Sequence, residues 1–133
     1  MAIQIQTQVC PQCSSLFLTN AFSPSMLEYT RNLTFRLLSG KEEARRVLNY
    51  FCMGVDFSPV SAVGHADTAS LFSSLLGTEV PPNRISITLN IWDILLVGQY
   101  NGPRLPEGCT TLPEGASIRW WLIYDPEEYP DLW

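Results

Sequence analysis

The sequence predicts a single α/β domain in which a mixed β-sheet packs against flanking helices. Two observations carry this prediction. Short apolar or alternating runs, typical of strands, occur before, between and after two segments with helical periodicity. The chain of 133 residues fits one compact domain, and its 46% hydrophobic and 16% charged residues supply a core and argue against disorder.

Five strands are predicted, over residues 15–19, 33–38, 85–89, 94–99 and 118–124. In the second strand, Leu33, Phe35 and Leu37 alternate with polar residues and are expected to point inward. A short turn at residues 90–93 would join the third and fourth strands as a hairpin. Residues 20–25 are rich in Asn, Ser and Pro and are expected to form a loop.

Two helices are predicted, over residues 40–51 and 65–76. Ser39 precedes Glu42 by three residues, which is the spacing of a capping box at the start of the first helix. Gly77 is a suitable C-terminal stop for the second helix. Residues 53–64, between the helices, are expected to be mostly loop.

Residues 1–14 are predicted to be a flexible N-terminal extension, with the folded domain over residues 15–133. Cys10 and Cys13 form a C-P-Q-C motif within the extension. The motif could be half of a zinc site or a redox pair. A second closely spaced pair of Cys or His is missing from the sequence, so a loose arm with unpaired thiols is the favoured interpretation.

Charge and hydropathy exclude several classes of function. The formal net charge is −5 and there are eight Lys and Arg residues, too few for bulk binding to long nucleic acid. No apolar run approaches the length of a membrane span, and the N-terminus lacks the basic residues of a signal peptide. We therefore expect a cytoplasmic protein with no membrane partner. Scattered Cys and His and the lack of clustered carboxylates give no support to a metal site, and no cofactor is expected.

His65, the only histidine, lies at the start of the second predicted helix. Free backbone N–H groups at a helix start favour a bound phosphate, and a histidine there could act as a general acid or base. A surface or capping histidine is the simpler interpretation of the position alone.

A rigid loop after the fourth strand contains Arg104 and Glu107 in G-P-R-L-P-E-G. Arg104 could bind a phosphate oxygen and Glu107 could orient it; alternatively, the two form a surface ion pair. Arg84 could bind an anion or could cap the edge of the sheet. Other polar candidates that could contact a ligand, or could be ordinary turn and strand-end residues, are Asn20, Ser23, Ser25 and Gln99.

Four of these segments resemble, in their order along the chain, the viral ring nuclease family, also called type III anti-CRISPR proteins. The segments are L-T-N-A-F-S at residues 18–23, A-V-G-H-A-D-T-A at 62–69, N-R-I-S-I at 83–87 and R-L-P-E-G at 104–108. Each segment is short, so their shared order and spacing carry the resemblance. It covers most of the domain, from about residue 15 to residue 123.

The resemblance implies a homodimer that suppresses type III CRISPR signalling by cleaving the second messenger cyclic tetra-adenylate, without a metal. In such a reaction a ribose 2′-hydroxyl attacks the adjacent phosphorus and leaves a 2′,3′-cyclic phosphate end. The residues implied as catalytic are His65 as general acid, Arg104 as stabiliser of phosphate charge, Glu107 as its orienting partner, and Ser23 as a positioning group. Residues implied as substrate contacts are Asn20, Ser25, Thr68, Arg84 and Gln99.

Two alternatives remain open from the sequence. A non-catalytic sponge of the same fold would bind the cyclic oligonucleotide through its arginines and the helix start but would not need His65 as an acid. A small adaptor would instead use Cys10 and Cys13 for zinc-dependent assembly. Substitution of His65 separates the first alternative from the enzyme, and a metal assay tests the second.

Overall fold

The computed structural model describes residues 4–7, 14–28, 30–54 and 56–133. It confirms the α/β class: five strands form one sheet, accompanied by two helices. In chain order the elements are β1 (Ser14–Thr19), a 3-10 turn (Pro24–Met26), β2 (Thr34–Leu37), α1 (Lys41–Cys52), β3 (Phe57–Ser61), α2 (Ala66–Leu76), β4 (Ile94–Asn101) and β5 (Ser117–Tyr124).

The sheet is mixed, with strand order β2-β5-β4-β1-β3. β1 lies between β3 and β4 and is parallel to both. β5 is antiparallel to β4 on one side and to β2 on the other. The carboxyl ends of the three parallel strands therefore meet at one edge of the sheet.

The two helices pack on one face of this sheet, because each has an apolar stripe that must be buried. Their buried residues share one core with alternate residues of the central strands, among them Leu16, Leu18, Ile94, Leu96, Trp120 and Leu122. The opposite face carries a second cluster, in which Phe17, Leu95 and Ile123 contact loop residues. Only part of this second face is covered.

The predicted strand at residues 85–89 is wrong, and so is its hairpin with the next strand. Both sides of β4 are already occupied, by β1 and β5. Ile87 and Leu89 are nevertheless buried, because the segment crosses the second face of the sheet and places alternate side chains on it. An isolated bridge joins Leu89 to Leu27. The alternation of apolar and polar residues in this segment therefore reflects burial of one of its sides and not pairing with a strand of the sheet.

The prediction that residues 53–64 are mostly loop is also wrong over residues 57–61, which form β3. Pro59 lies inside this strand and weakens its strand signal, since proline cannot donate to a ladder. β3 is the last strand of the sheet, where proline is tolerated. Burial of Val60 and pairing with β1 stabilise a strand that local propensity would not predict.

Two local expectations fail around β2 and α1. Phe35 and Leu37 were expected to point inward but are 47% and 54% exposed, because the face of β2 to which they belong is uncovered. The capping box is not formed: Gly40 is the N-cap residue of α1 and makes no side-chain capping bond. The backbone N–H of Ser39 instead donates to Glu43 Oε1 at 2.7 Å, one residue beyond the expected partner.

Gly77 ends α2 as predicted, in the left-handed conformation at φ 67°. Residues 4–7, inside the predicted extension, pack onto the domain, and Ile5 is only 2% exposed. Cys10 and Cys13 lie outside the described residues. Within the part of the chain that the structure describes, no helix is both long and apolar enough to cross a bilayer.

Candidate functional site

The carboxyl edge of the parallel strands gathers most of the residues singled out in the sequence. Asn20 directly follows β1, His65 follows β3 by four residues, and Arg104 follows β4 by three. β1 lies between β3 and β4, and all three parallel strands end at this edge of the sheet. Ligands of open α/β sheets bind at such an edge.

His65 is the N-cap residue of α2, with an extended backbone at φ −105° and ψ 128°. Its carbonyl accepts the first helical hydrogen bond, from the Ala69 N–H at 2.9 Å. Its side chain makes no capping bond and is exposed, so the imidazole is free to meet a ligand. The burial of Leu71 and Phe72 farther along α2 holds this helix start against the sheet.

An open pocket of about 480 Å³ lies beside His65. Two arginines and two carboxylates converge on it. The residues lining it are Gly64, His65, Ala66, Asp67, Arg84, Arg104, Leu105 and Glu107. The structure thus brings together the predicted acid, both predicted anion-binding arginines and Glu107.

Asp67 links the two loops of this pocket, although sequence reasoning did not single it out. Its Oδ1 accepts a hydrogen bond from the Gly108 N–H at 3.2 Å, which ties the loop after β4 to the first turn of α2. The available signal was its place in G-H-A-D, since an acidic residue is favoured in the first turn of a helix.

Arg84 is placed by its neighbour Asn83. The Asn83 N–H donates to Val63 O at 2.8 Å, and Asn83 Nδ2 donates to Ser61 O at 2.7 Å. A Cβ atom on Gly64 would lie 3.5 Å from Arg84 Cβ, so the loop before His65 and the arginine are in close contact. The spacing along the sequence gave no sign of this contact.

The predicted pair of Arg104 and Glu107 is not formed in this structure. Within the described ranges the ion pairs are Arg31–Asp125 and Arg46–Glu43. Arg104 and Glu107 are both exposed at the mouth of the pocket. Their charged groups are therefore available to a ligand.

A second pocket, of about 460 Å³, contains Asn20 and Gln99. Gln99 Oε1 accepts a hydrogen bond from Trp121 Nε1 at 3.2 Å, which fixes the side-chain amide against the ring. The rest of its lining is mainly apolar and includes three aromatic rings that sequence reasoning missed, those of Phe22, Phe35 and Trp121.

The remaining candidates line neither pocket. Ser23 caps the 3-10 turn, accepting from the Ser25 N–H at 3.3 Å, and the two hydroxyl oxygens are 2.9 Å apart. Thr68 is half-buried in the first turn of α2. Ser23, Ser25 and Thr68 therefore do not line the pocket of His65, although Thr68 lies in the first turn of the helix that His65 begins.

The marked pKa shifts occur away from the His65 pocket. Burial raises the pKa of the Cys52 thiol to about 11. Burial also raises the pKa of Asp93, although hydrogen bonds from the Ser15 and Asn90 N–H groups and the nearby charge of Arg31 oppose the shift. These groups lie at the other end of the strands and belong to the packing of the sheet.

Comparison with known proteins identifies a family and a similar solved structure. Residues 16–116 match the model of the STIV B116-like family. The solved structure of B116 of Sulfolobus turreted icosahedral virus (STIV) is similar, with a TM-score of 0.70 and 28% sequence identity over 84% of this chain and 99% of that chain. No curated protein matches the chain significantly. The family match includes every residue that lines the His65 pocket and six of the eight that line the pocket of Asn20 and Gln99.

Proposed function

Because the chain belongs to the STIV B116-like family, which is named for a viral protein, we propose that it is a viral ring nuclease. Its substrate would be cyclic tetra-adenylate, and its cleavage would suppress type III CRISPR signalling in the cytoplasm. The observation that carries the proposal is the pocket that His65 shares with Arg84, Arg104 and Glu107.

The pocket offers what internal transesterification needs. The substrate's own 2′-hydroxyl attacks the neighbouring phosphorus and loses its proton to solvent, while the bond from phosphorus to the 5′-oxygen breaks. His65 donates a proton to the departing 5′-oxygen, which makes it a better leaving group. Since the nucleophile belongs to the substrate, the reaction does not require a metal-activated water.

Arginine charge supports the same step. The attacked phosphate gains negative charge as the new P–O bond forms, and an arginine fork already in place stabilises that charge without reorganisation. Arg104 would supply this fork from the loop after β4, whereas Arg84 would bind the phosphate of the bound substrate from a different segment of the lining. Free N–H groups at the start of α2 add a positive dipole end beside His65.

The pocket of Asn20 and Gln99 has the chemistry of a base site. Aromatic rings provide stacking surfaces for a nucleobase, and a side-chain amide can pair with the edge of adenine. Asn20 lies one residue after β1, at the carboxyl edge that β1 shares with β3 and β4. β3 leads to His65, and β4 contains Gln99. A nucleotide could therefore place its base in one pocket and its phosphate in the other.

We propose a homodimer as the active form, because a four-fold repeated ring can present equivalent halves to two identical sites. Each subunit would contribute one His65 and its arginines. The arginines and the helix start of each pocket would then bind the phosphates of the ring, although the whole chain carries a formal charge of −5.

The decisive experiment incubates the protein with cyclic oligoadenylates of different ring sizes and analyses the products. Wild-type protein should cleave cyclic tetra-adenylate to products with 2′,3′-cyclic phosphate ends, with and without a chelator. His65→Ala should lower the cleavage rate by about 100-fold or more and leave binding intact, because it removes only the proton donor. Thr110→Ala, on an exposed loop residue outside the pocket, is the matched control.

Other outcomes would contradict the proposal. Tight binding without cleavage by the wild-type protein would favour the sponge, for which His65→Ala changes nothing. Activity that is lost on chelation and restored by a divalent metal would exclude the internal-nucleophile mechanism.

A further inference from the structure

The N-terminal segment (residues 4–7) continues the sheet beyond β3. The Gln6 N–H donates to Pro59 O at 3.0 Å, and the Ser61 N–H donates to Gln6 O at 2.9 Å. Gln6 and Val60 form a parallel bridge. The segment therefore occupies the edge of β3 that the five-stranded sheet leaves open.

On its other side the N-terminal segment contacts the stretch that leads to Arg84. The Ile5 N–H donates to Glu79 O at 3.3 Å, and Gln4 Nε2 donates to Glu79 Oε2 at 2.9 Å. Asn83 Nδ2 donates to Thr7 O at 3.0 Å. The segment is thus a bridge between β3 and residues 79–83.

Ile5 anchors the N-terminal segment in the main core. Its side chain is 2% exposed and belongs to the same apolar cluster as Leu48 of α1, Phe72 of α2 and Val80. Such burial keeps the segment on the domain, because release would expose apolar surface to water.

Asn83 connects the N-terminal segment to the pocket. Its amide nitrogen donates both to Thr7 O and to Ser61 O, so one side chain joins the segment to β3. The next residue, Arg84, packs beside Gly64 and lines the pocket. A shift of the segment would therefore be passed to Arg84 through a single peptide unit.

The family match begins at residue 16, after the N-terminal segment. The support of Arg84 in this chain therefore includes a part that lies outside the region matched to the family. This makes the segment a feature of this protein beyond what the family membership describes.

We propose that the N-terminal segment is a positioning element of the candidate site. By holding Asn83 between Thr7 and β3, it sets the place from which Arg84 presents its guanidinium to an anionic ligand. The role of Arg84 toward a ligand rests on the proposed function, whereas the bracing of residues 81–84 does not. Two experiments separate these parts.

The first experiment measures amide hydrogen exchange in the absence of ligand. Ile5→Ala should speed exchange of the backbone amides of residues 83–86, because the segment loses its anchor. Leu48→Ala removes a similar buried side chain from the same core, at α1, and should not do so when both variants are compared at equal loss of thermal stability. Equal exchange of the amides of residues 83–86 in the two variants would overturn the proposal.

A second variant avoids a cavity in the core. Gln6→Pro removes the N–H that donates to Pro59 O and leaves Ile5 in place. It should reproduce the faster exchange of the amides of residues 83–86. Unchanged exchange in a folded Gln6→Pro protein would also overturn the bracing role.

The second experiment measures cleavage of cyclic tetra-adenylate. Ile5→Ala should raise KM roughly tenfold and change kcat less than about twofold, since Arg84 would be misplaced while His65 stays in place. In an Arg84→Ala background the effect of Ile5→Ala on KM should disappear. If Ile5→Ala still raised KM in the Arg84→Ala background, the N-terminal segment would not act through Arg84. If wild-type protein cleaves no cyclic oligoadenylate, the proposed function fails, and hydrogen exchange still decides the bracing.

Discussion

Single residues in this protein owe their chemistry to the backbone positions that they occupy. His65 is exposed and carries no capping bond because its backbone, and not its side chain, starts α2. Arg104 is free of the partner predicted for it, and Glu107 faces the same pocket. Each of these groups is ordinary alone, and their convergence on one space is what gives them a candidate role.

Arg104 provides a test at this scale. Arg104→Ala should slow cleavage of cyclic tetra-adenylate by about 100-fold, because a preorganised donor to the developing phosphate charge is lost. Arg46→Ala is the matched control, since Arg46 is an exposed arginine of α1 outside the pocket. Single-turnover rates at saturating substrate are the measurement. An unchanged rate in Arg104→Ala would remove this residue from the reaction.

At the scale of elements, close packing of α2 on the sheet holds the start of the helix in place. Gly98 of β4 lies under two buried aromatic rings: a Cβ atom there would be 2.6 Å from Phe72 Cζ and 2.6 Å from Trp120 Cζ3. Phe72 belongs to α2 and Trp120 to β5, so a glycine allows helix and strand to meet here. The position of His65 depends on this contact.

Gly98→Ala should therefore destabilise the protein by about 1–3 kcal/mol, the usual cost of overpacking a buried site. Urea unfolding followed by circular dichroism gives the free energy. Gly54→Ala, at a site where a Cβ atom would make ordinary contacts from 3.5 Å, should change it little. Equal stability of the two variants would contradict this prediction, because it would mean that Phe72 and Trp120 can move aside for a Cβ atom at position 98.

The hydrogen bonds of Glu43 at the start of α1 predict that the stability of the fold depends on pH. A hydrogen bond from the Ser39 N–H, followed in importance by one from the Trp133 indole, lowers the pKa of Glu43 from its ordinary value of 4.5. A carboxyl whose pKa is lower in the folded state stabilises the fold above the ordinary pKa, and that contribution is lost as pH falls through the folded value.

The Tm difference between wild type and Glu43→Gln should therefore be largest near neutral pH and shrink below pH 4.5. Glu42→Gln, on an exposed neighbour, is the control and should show a smaller change with pH. A Glu43→Gln difference that stays constant from pH 7 to about pH 3 would contradict the assigned cause.

At the scale of the whole molecule, the uncovered part of the second sheet face is the candidate surface for the proposed homodimer. Phe35 and Leu37 of β2 are large, apolar and about half exposed. Phe35 also lines the pocket of Asn20 and Gln99, so a partner subunit placed here would lie next to the candidate base site. Apolar side chains grouped at such a surface are typical of interfaces.

Light scattering should accordingly give about twice the 15.0 kDa mass of the chain. Leu37→Asp should shift the molecule toward the monomer and reduce cleavage together with dimerisation, because a buried charge opposes association. Met53→Asp is the control: Met53 is 82% exposed at the end of α1, outside this face. A stable monomer with full activity would contradict the dimeric site.

The sequence alone was sufficient for the α/β class, the two helices and four of the five strands, because periodic burial of side chains is a local signal. It also singled out His65, Arg84 and Arg104, since the helix start and the loops that hold them follow from neighbouring residues. It failed where burial competed with local propensity. Pro59 concealed β3, and the alternation of residues 85–89 imitated a strand.

Only the tertiary structure decided which candidates meet. The parallel pairing of β1 with β3 and β4 brings their carboxyl ends to one edge, and this pairing joins residues far apart in the chain. Long-range contacts also placed Asp67 against Gly108 and the N-terminal segment against Asn83. Ser23 does not line the His65 pocket. The sequence determines what each segment can form, whereas the site depends on sheet pairing, which no local pattern encodes.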